Sequence, residues 1–178
     1  MKKLIALSIL SLSLGNGGYA QNCKDLKESK DAFTNKIEKK AVVTLGATMG
    51  TKWGVEFIQD DKETIMKWHI AMLGEYNTAI EAGTQLLLKL EDESILTLPT
   101  AEAAKPVTQA IGGGAGTVTV YSTFILKFVM NEEDLQKLAK ALITNYKVDV
   151  SSMRIINPKE KEKQLKQIQN VCSCLLKK

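Results

Sequence analysis

The stretch that most constrains the fold is TVTVYSTFILKFVM, residues 117–130. Along it Val118, Val120, Ser122, Phe124, Leu126 and Phe128 alternate with Thr119, Tyr121, Thr123, Ile125 and Lys127. A helix would smear this period of two around its circumference, whereas successive side chains of a strand point to opposite faces. The run therefore reads as the longest strand of the chain, with its apolar face near the centre of a sheet. Tyr121 falls on the other face, which makes it a candidate for a surface contact.

Partner strands are visible on the N-terminal side. Val43, Leu45, Ala47 and Met49 alternate up to Gly50, and Trp53, Val55 and Phe57 alternate after it, which predicts two antiparallel strands joined by a turn. Past the turn residues Asp60-Asp61-Lys62, the run TIMKWHIAML places Met66, Trp68, Ile70 and Met72 on one face and Lys67, His69 and Ala71 on the other. QLLLKL and SILTL face each other across Glu91-Asp92-Glu93, and connections this short make hairpins rather than parallel crossovers.

Two segments read differently. Residues 21–40 are polar with sparse apolar positions, and form a lead-in of loop or short helix. Residues 99–116 carry Pro99, Pro106 and the glycines Gly112, Gly113 and Gly114, and read as a long loop, a kind that is mobile or functional in a compact domain. The glycines invite comparison with a phosphate loop, but a strand follows them and no Gly-Lys-Ser/Thr or helix does.

The period then changes to 3.6. Asn131 is placed to cap a helix opening on Glu132-Glu133-Asp134 and burying Leu135, Leu138, Ala139 and Leu142. YKVDVSSMRII gives one or two short strands. A last helix starts at Asn157-Pro158, with Leu165, Ile168, Val171, Cys172 and Leu175 as its stripe. The expected fold is α+β, a mostly antiparallel sheet of about six to eight strands with two helices late in the chain. The alternative is a β-sandwich or partly open barrel with a packed terminal helix.

The N-terminus carries two lysines, an apolar run from Leu4 to Leu14, and a small residue two positions before Ala20. That is the pattern of a secretory signal peptide, with cleavage after Ala20 leaving 41–178 as a single domain behind the lead-in. The apolar run is too short to span a bilayer, and Asn22 before Cys23 departs from a lipoprotein acylation site. Loss of Lys2 and Lys3 lowers the formal charge from +4 to +2. Arg154 is the single arginine, so the side chain best suited to nucleic-acid recognition is nearly absent.

Export places three cysteines in an oxidising compartment. On a helix Cys172 and Cys174 are rotated about 200° apart, so they do not pair with each other. The expected bridge is Cys23 with Cys172, and Cys23 with Cys174 is the alternative. His69 is the only histidine, and no nucleophile signature accompanies it. The functional expectation is an exported, non-catalytic binding module of the bacterial cell envelope, without cofactor, engaging another envelope or secreted protein through a sheet edge or the 99–116 loop. Two alternatives stand beside it: Cu(I) handling by Cys172-x-Cys174, and a hydrolase with a carboxylate pair drawn from Glu56, Glu75 and Glu81.

Overall fold

The computed structural model describes residues 23–48, 51–112, 116–150, 153–154 and 162–177. Within them the chain forms β1 (Lys27–Lys30), β2 (Ile37–Thr48), β3 (Thr51–Gln59), β4 (Thr64–Leu73), β5 (Gln85–Leu90), β6 (Ile95–Pro99), β7 (Val107–Gly112) and β8 (Val118–Met130). Helix α1 (Glu132–Lys140), β9 (Ile143–Val150), β10 (Met153–Arg154) and helix α2 (Glu162–Leu175) follow.

The strands divide between two sheets, one of six in the order β1-β2-β3-β4-β8-β7 and one of four in the order β10-β9-β5-β6. Every ladder is antiparallel. The expected α+β class, mostly antiparallel with two late helices, is what the chain adopts, with the strands divided between two sheets rather than gathered in one. The long strand β8 is central, paired along its length with β4 from Thr64↔Met130 to Leu73↔Tyr121.

Alternation decides which face is buried. Ala41, Val43, Leu45, Val55, Phe57, Met66, Trp68, Ile70, Phe124, Leu126 and Phe128 turn inward from the larger sheet. Leu86, Leu88, Leu90, Leu96, Leu98, Ile143, Tyr146 and Val148 do so from the smaller. The two sets meet directly where the Trp68 and Tyr146 rings stand 4.8 Å apart, and with the stripes of both helices they form one apolar cluster. Burial of this kind contributes about 25 cal/mol per Å² of apolar surface and is the main force holding the layers together.

Helix α1 begins where the sequence places it. The Asn131 side chain accepts from the Asp134 N–H, and the Asp134 carboxylate accepts from the Asn131 N–H in return. Leu135 and Leu138 are its buried residues. Helix α2 packs on α1 and on β2, burying Ile168, Val171, Cys172, Cys174 and Leu175.

Two expectations need correction. The 99–116 segment is not a loop throughout, because Val107–Gly112 is strand β7, paired with β8. The polar lead-in is neither loop nor helix over Lys27–Lys30, which pairs with β2 as Lys27↔Lys40 to Lys30↔Ile37. Both strands escape a reading by periodicity because they lie open to solvent, with no apolar and polar sides to alternate. The expected signal peptide, the Asn157-Pro158 helix start, Gly113, Gly114, Met49 and the Trp53 side chain lie outside the described residues.

Candidate functional site

The larger sheet turns one face to the core and leaves the other open. Odd-numbered residues of β4 and β8 point outward, as do Val42 of β2 and Val107, Gln109 and Ile111 of β7. Val42, Leu73, Val107, Ile125 and Val129, each between 45% and 67% exposed, all lie on this face. So does Tyr121, half-buried between Leu73 of β4 and Gln109 of β7 in the register. Leu73, Tyr121 and Val107 fall in neighbouring register positions in and beside β7, whereas Val42 stands opposite Glu56 and Ile125 opposite His69.

The rim of this face is β7, and Ser122 fixes it in place. Buried on the inner side, Ser122 Oγ accepts the Tyr76 N–H at 2.9 Å and donates to the Gly74 carbonyl at 3.0 Å. A hydroxyl has one proton, so its third bond, 2.9 Å to Thr108 Oγ1, has Thr108 as the donor. Gly74 sits at φ +107°, a region that suits glycine, and its N–H donates to the Val120 carbonyl. One hydroxyl thus ties β7, β8 and the segment after β4 together.

The same bonds reveal which backbone groups of β7 are unused. In an antiparallel strand the N–H and C=O of a residue point to the same side, and the sides alternate along the chain. The Val120 carbonyl is taken by Gly74 on the β4 side, so Val120 and Ser122 bond toward β4 and their neighbours toward β7. Opposite Val120 stands Ala110, and opposite Ser122 stands Thr108. The N–H and C=O of Thr108, Ala110 and Gly112 therefore point away from β8, off the edge of the sheet. Gly112, expected as a surface residue, is one of them.

Charge gathers on the same open face, across β2, β3 and β4 and next to Val42 and Ile125. Glu56 of β3 pairs with Lys40 of β2, and its Oε2 lies 3.6 Å from Lys67 Nζ and 4.0 Å from His69 Nε2. Burial pushes the Glu56 carboxyl up, but the Lys40 hydrogen bond and the charges of Lys40 and Lys67 outweigh it and hold it below the usual value. Burial also lowers the His69 imidazole, and the two lysines add to this against the pull of Glu56. At 4.0 Å the His69–Glu56 pair is beyond hydrogen-bond length, and burial favours the uncharged imidazole beside the carboxylate. A dent of about 200 Å³ beside them is lined by Val42, Thr44, Gly54, Glu56 and His69. Gly54 is required there, since a Cβ would stand 2.2 Å from the Val43 carbonyl oxygen, next to the register shift between Thr44 and Gly46.

The cysteines correct a further expectation. Cys23 is bridged to Cys174, the alternative partner, with Cα atoms 5.8 Å apart, and Cys172 is the free thiol. The reason is the helix phase already visible in the sequence: Cys172 stands in the middle of the α2 stripe and is fully buried, so it faces the core and not the N-terminal segment. Burial pushes its thiol up to about 12. With Cys174 in the bridge, a Cys172-x-Cys174 thiolate pair exists only in reduced protein. Among the described residues no three His, Cys, Asp or Glu side chains gather as a metal site would require. Of the carboxylates weighed for hydrolysis, Glu56 is engaged by lysines, and Glu75 and Glu81 are exposed in the β4–β5 connection.

The structure thus brings together Tyr121, Gly112 and the edge of β7, and leaves the cysteines on another element. What sequence reasoning missed is β7 itself and the outward row of Val107, Gln109 and Ile111. The available signal was VTQAIG, a β-prone segment without charge that directly precedes the glycines. Compared with protein-family models, curated proteins and solved structures, the chain matches none.

Proposed function

We propose that this protein is an exported, non-catalytic binding module of the bacterial cell envelope, which captures an extended segment of another envelope or secreted protein by adding it as a strand beside β7. The observation that carries the reading is the edge itself. β7 holds six residues without one charged side chain, and all but Ile111 are exposed. Sheets ordinarily blunt such an edge with lysine, proline or brevity. The opposite edge does so: β1 is four residues long and reads KESK. An added strand would find free donors and acceptors at Thr108, Ala110 and Gly112, with Val107, Ile111 and Tyr121 alongside to contact its outward side chains. The Cys23–Cys174 bridge supports export, because disulfides persist in oxidising compartments, as does the signal-like pattern of residues 1–20.

Ala110→Pro tests this. Its missing N–H is one that points off the sheet, so the ladder with β8 is untouched while the docking edge loses a donor. Crosslinked envelope extracts captured with the unmodified chain and with the variant should differ by a partner that the variant no longer retains. An identical set of partners overturns the reading.

A further inference from the structure

We propose that a second copy of this chain occupies the β7 edge when no other strand does, the two β7 strands pairing antiparallel about a two-fold axis through Ala110. This rests on the reading of β7 as a docking strand. The register follows from the free groups. With Ala110 opposite Ala110 of the second copy, Thr108 faces Gly112 and Gly112 faces Thr108, so every outward N–H and C=O of β7 is used. A two-fold through Gln109 would leave Gly112 facing Pro106, which has no N–H to give. Centring on Ala110 is thus the arrangement that satisfies the whole edge.

A like-charged copy is an acceptable partner only where the seam carries no charge, and here it carries none. Val107, Gln109 and Ile111 form the outward row, with Thr123, Tyr121 and Thr119 of β8 behind them. The nearest lysine of that face in β8, Lys127, lies beyond this row, 3.8 Å from Glu102, and Lys105 precedes the strand. On the open face Gln109 of each copy would lie across from Ile111 of the other, and the patches holding Leu73, Tyr121 and Val107 would become continuous across the axis. The remaining edges among the described residues do not offer this: β1 is charged, β6 closes on Pro99 and β10 has two residues. Two copies of a symmetric, uncharged edge make a closed, isologous contact rather than an open fibre.

Cysteine placement tests the register. Residues directly opposite in a hydrogen-bonded antiparallel pair have Cα atoms about 5.5 Å apart, within the about 4.4–6.8 Å that a disulfide spans. On mild oxidation Ala110→Cys should crosslink to itself. Thr108→Cys and Gly112→Cys, on the same exposed strand, should each fail to do so alone and should crosslink when mixed. In sedimentation equilibrium the unmodified chain should associate reversibly, and Ala110→Pro should weaken that association about tenfold or more. Equal crosslinking at all three positions, or none at Ala110→Cys, overturns the proposal. A chain that stays monomeric but loses its captured partner with Ala110→Pro refutes self-pairing and leaves the docking strand standing. Selective crosslinking at Ala110→Cys with an unchanged set of partners refutes capture of another protein and leaves self-pairing standing.

Discussion

Ser122 shows how much of the edge depends on one side chain. Its hydroxyl accepts from Tyr76 and Thr108 and donates to Gly74, so Ser122→Ala strands a buried N–H and a carbonyl at once. The variant should lose about 2–3 kcal/mol in urea denaturation, with earlier hydrogen exchange in β7. At the charged cluster the prediction concerns pH. The folded form resists protonating His69, whose imidazole lies below its ordinary 6.5, while the unfolded chain takes the proton there. The unfolded state therefore binds more protons as the pH falls through that value, and the contribution of His69, complete above it, is lost toward the folded value. Glu56, also lowered, adds a second loss at more acid pH, below its ordinary 4.5. Urea melts should show lower stability at about pH 5.5 than at about pH 7.5, and His69→Gln should reduce the difference. The individual residues were legible in proportion to their burial. Met66, Trp68, Phe124 and Leu126 were placed on their faces by alternation alone, whereas the roles of Ser122 and Gly74 depend on contacts between distant segments.

Among the elements, β4 and β8 were readable because each buries one face and exposes the other. β7 exposes both, so the only trace it leaves is β-propensity without periodicity, and nearby proline and glycine made it look like loop. The same ladder that exposed its free groups makes a prediction about the strand itself. Gln109, opposite Tyr121, directs its N–H toward β8, and Ala110 directs its own outward. Gln109→Pro should therefore cost about 1–2 kcal/mol by removing a ladder bond, while Ala110→Pro should leave the thermal midpoint nearly unchanged. If the two prolines destabilise alike, the assignment of outward groups is wrong. Helix phase was legible at both helices, and α2 illustrates its limit. It put Cys172 on the stripe that faces the core cluster, and Cys174, rotated off that stripe, is the one that meets Cys23.

For the whole molecule, the class and most of the ladder were within reach of the sequence; two layers of sheet were weighed only as the alternative, and which strand joins which sheet was not legible. Hairpins between neighbours announce themselves by turn residues, but the β4–β8 and β5–β9 pairings join segments separated by other strands. The Cys23–Cys174 bridge spans 151 residues of sequence, and in the chain-entropy model its removal costs up to about 5 kcal/mol. Cys174→Ala should show a loss of that order in urea, and the thiol of Cys172 should resist alkylation in the folded protein and react once denaturant opens the core. The bridge also decides how the molecule carries load. A pull applied outside residues 23 and 174 runs from one sulfur to the other and bypasses the sheets, so in single-molecule stretching the oxidised protein should behave as a short, nearly inextensible link. Adding a reductant under tension should release a hidden contour length of about 500 Å, at about 3.3–3.6 Å for each residue enclosed.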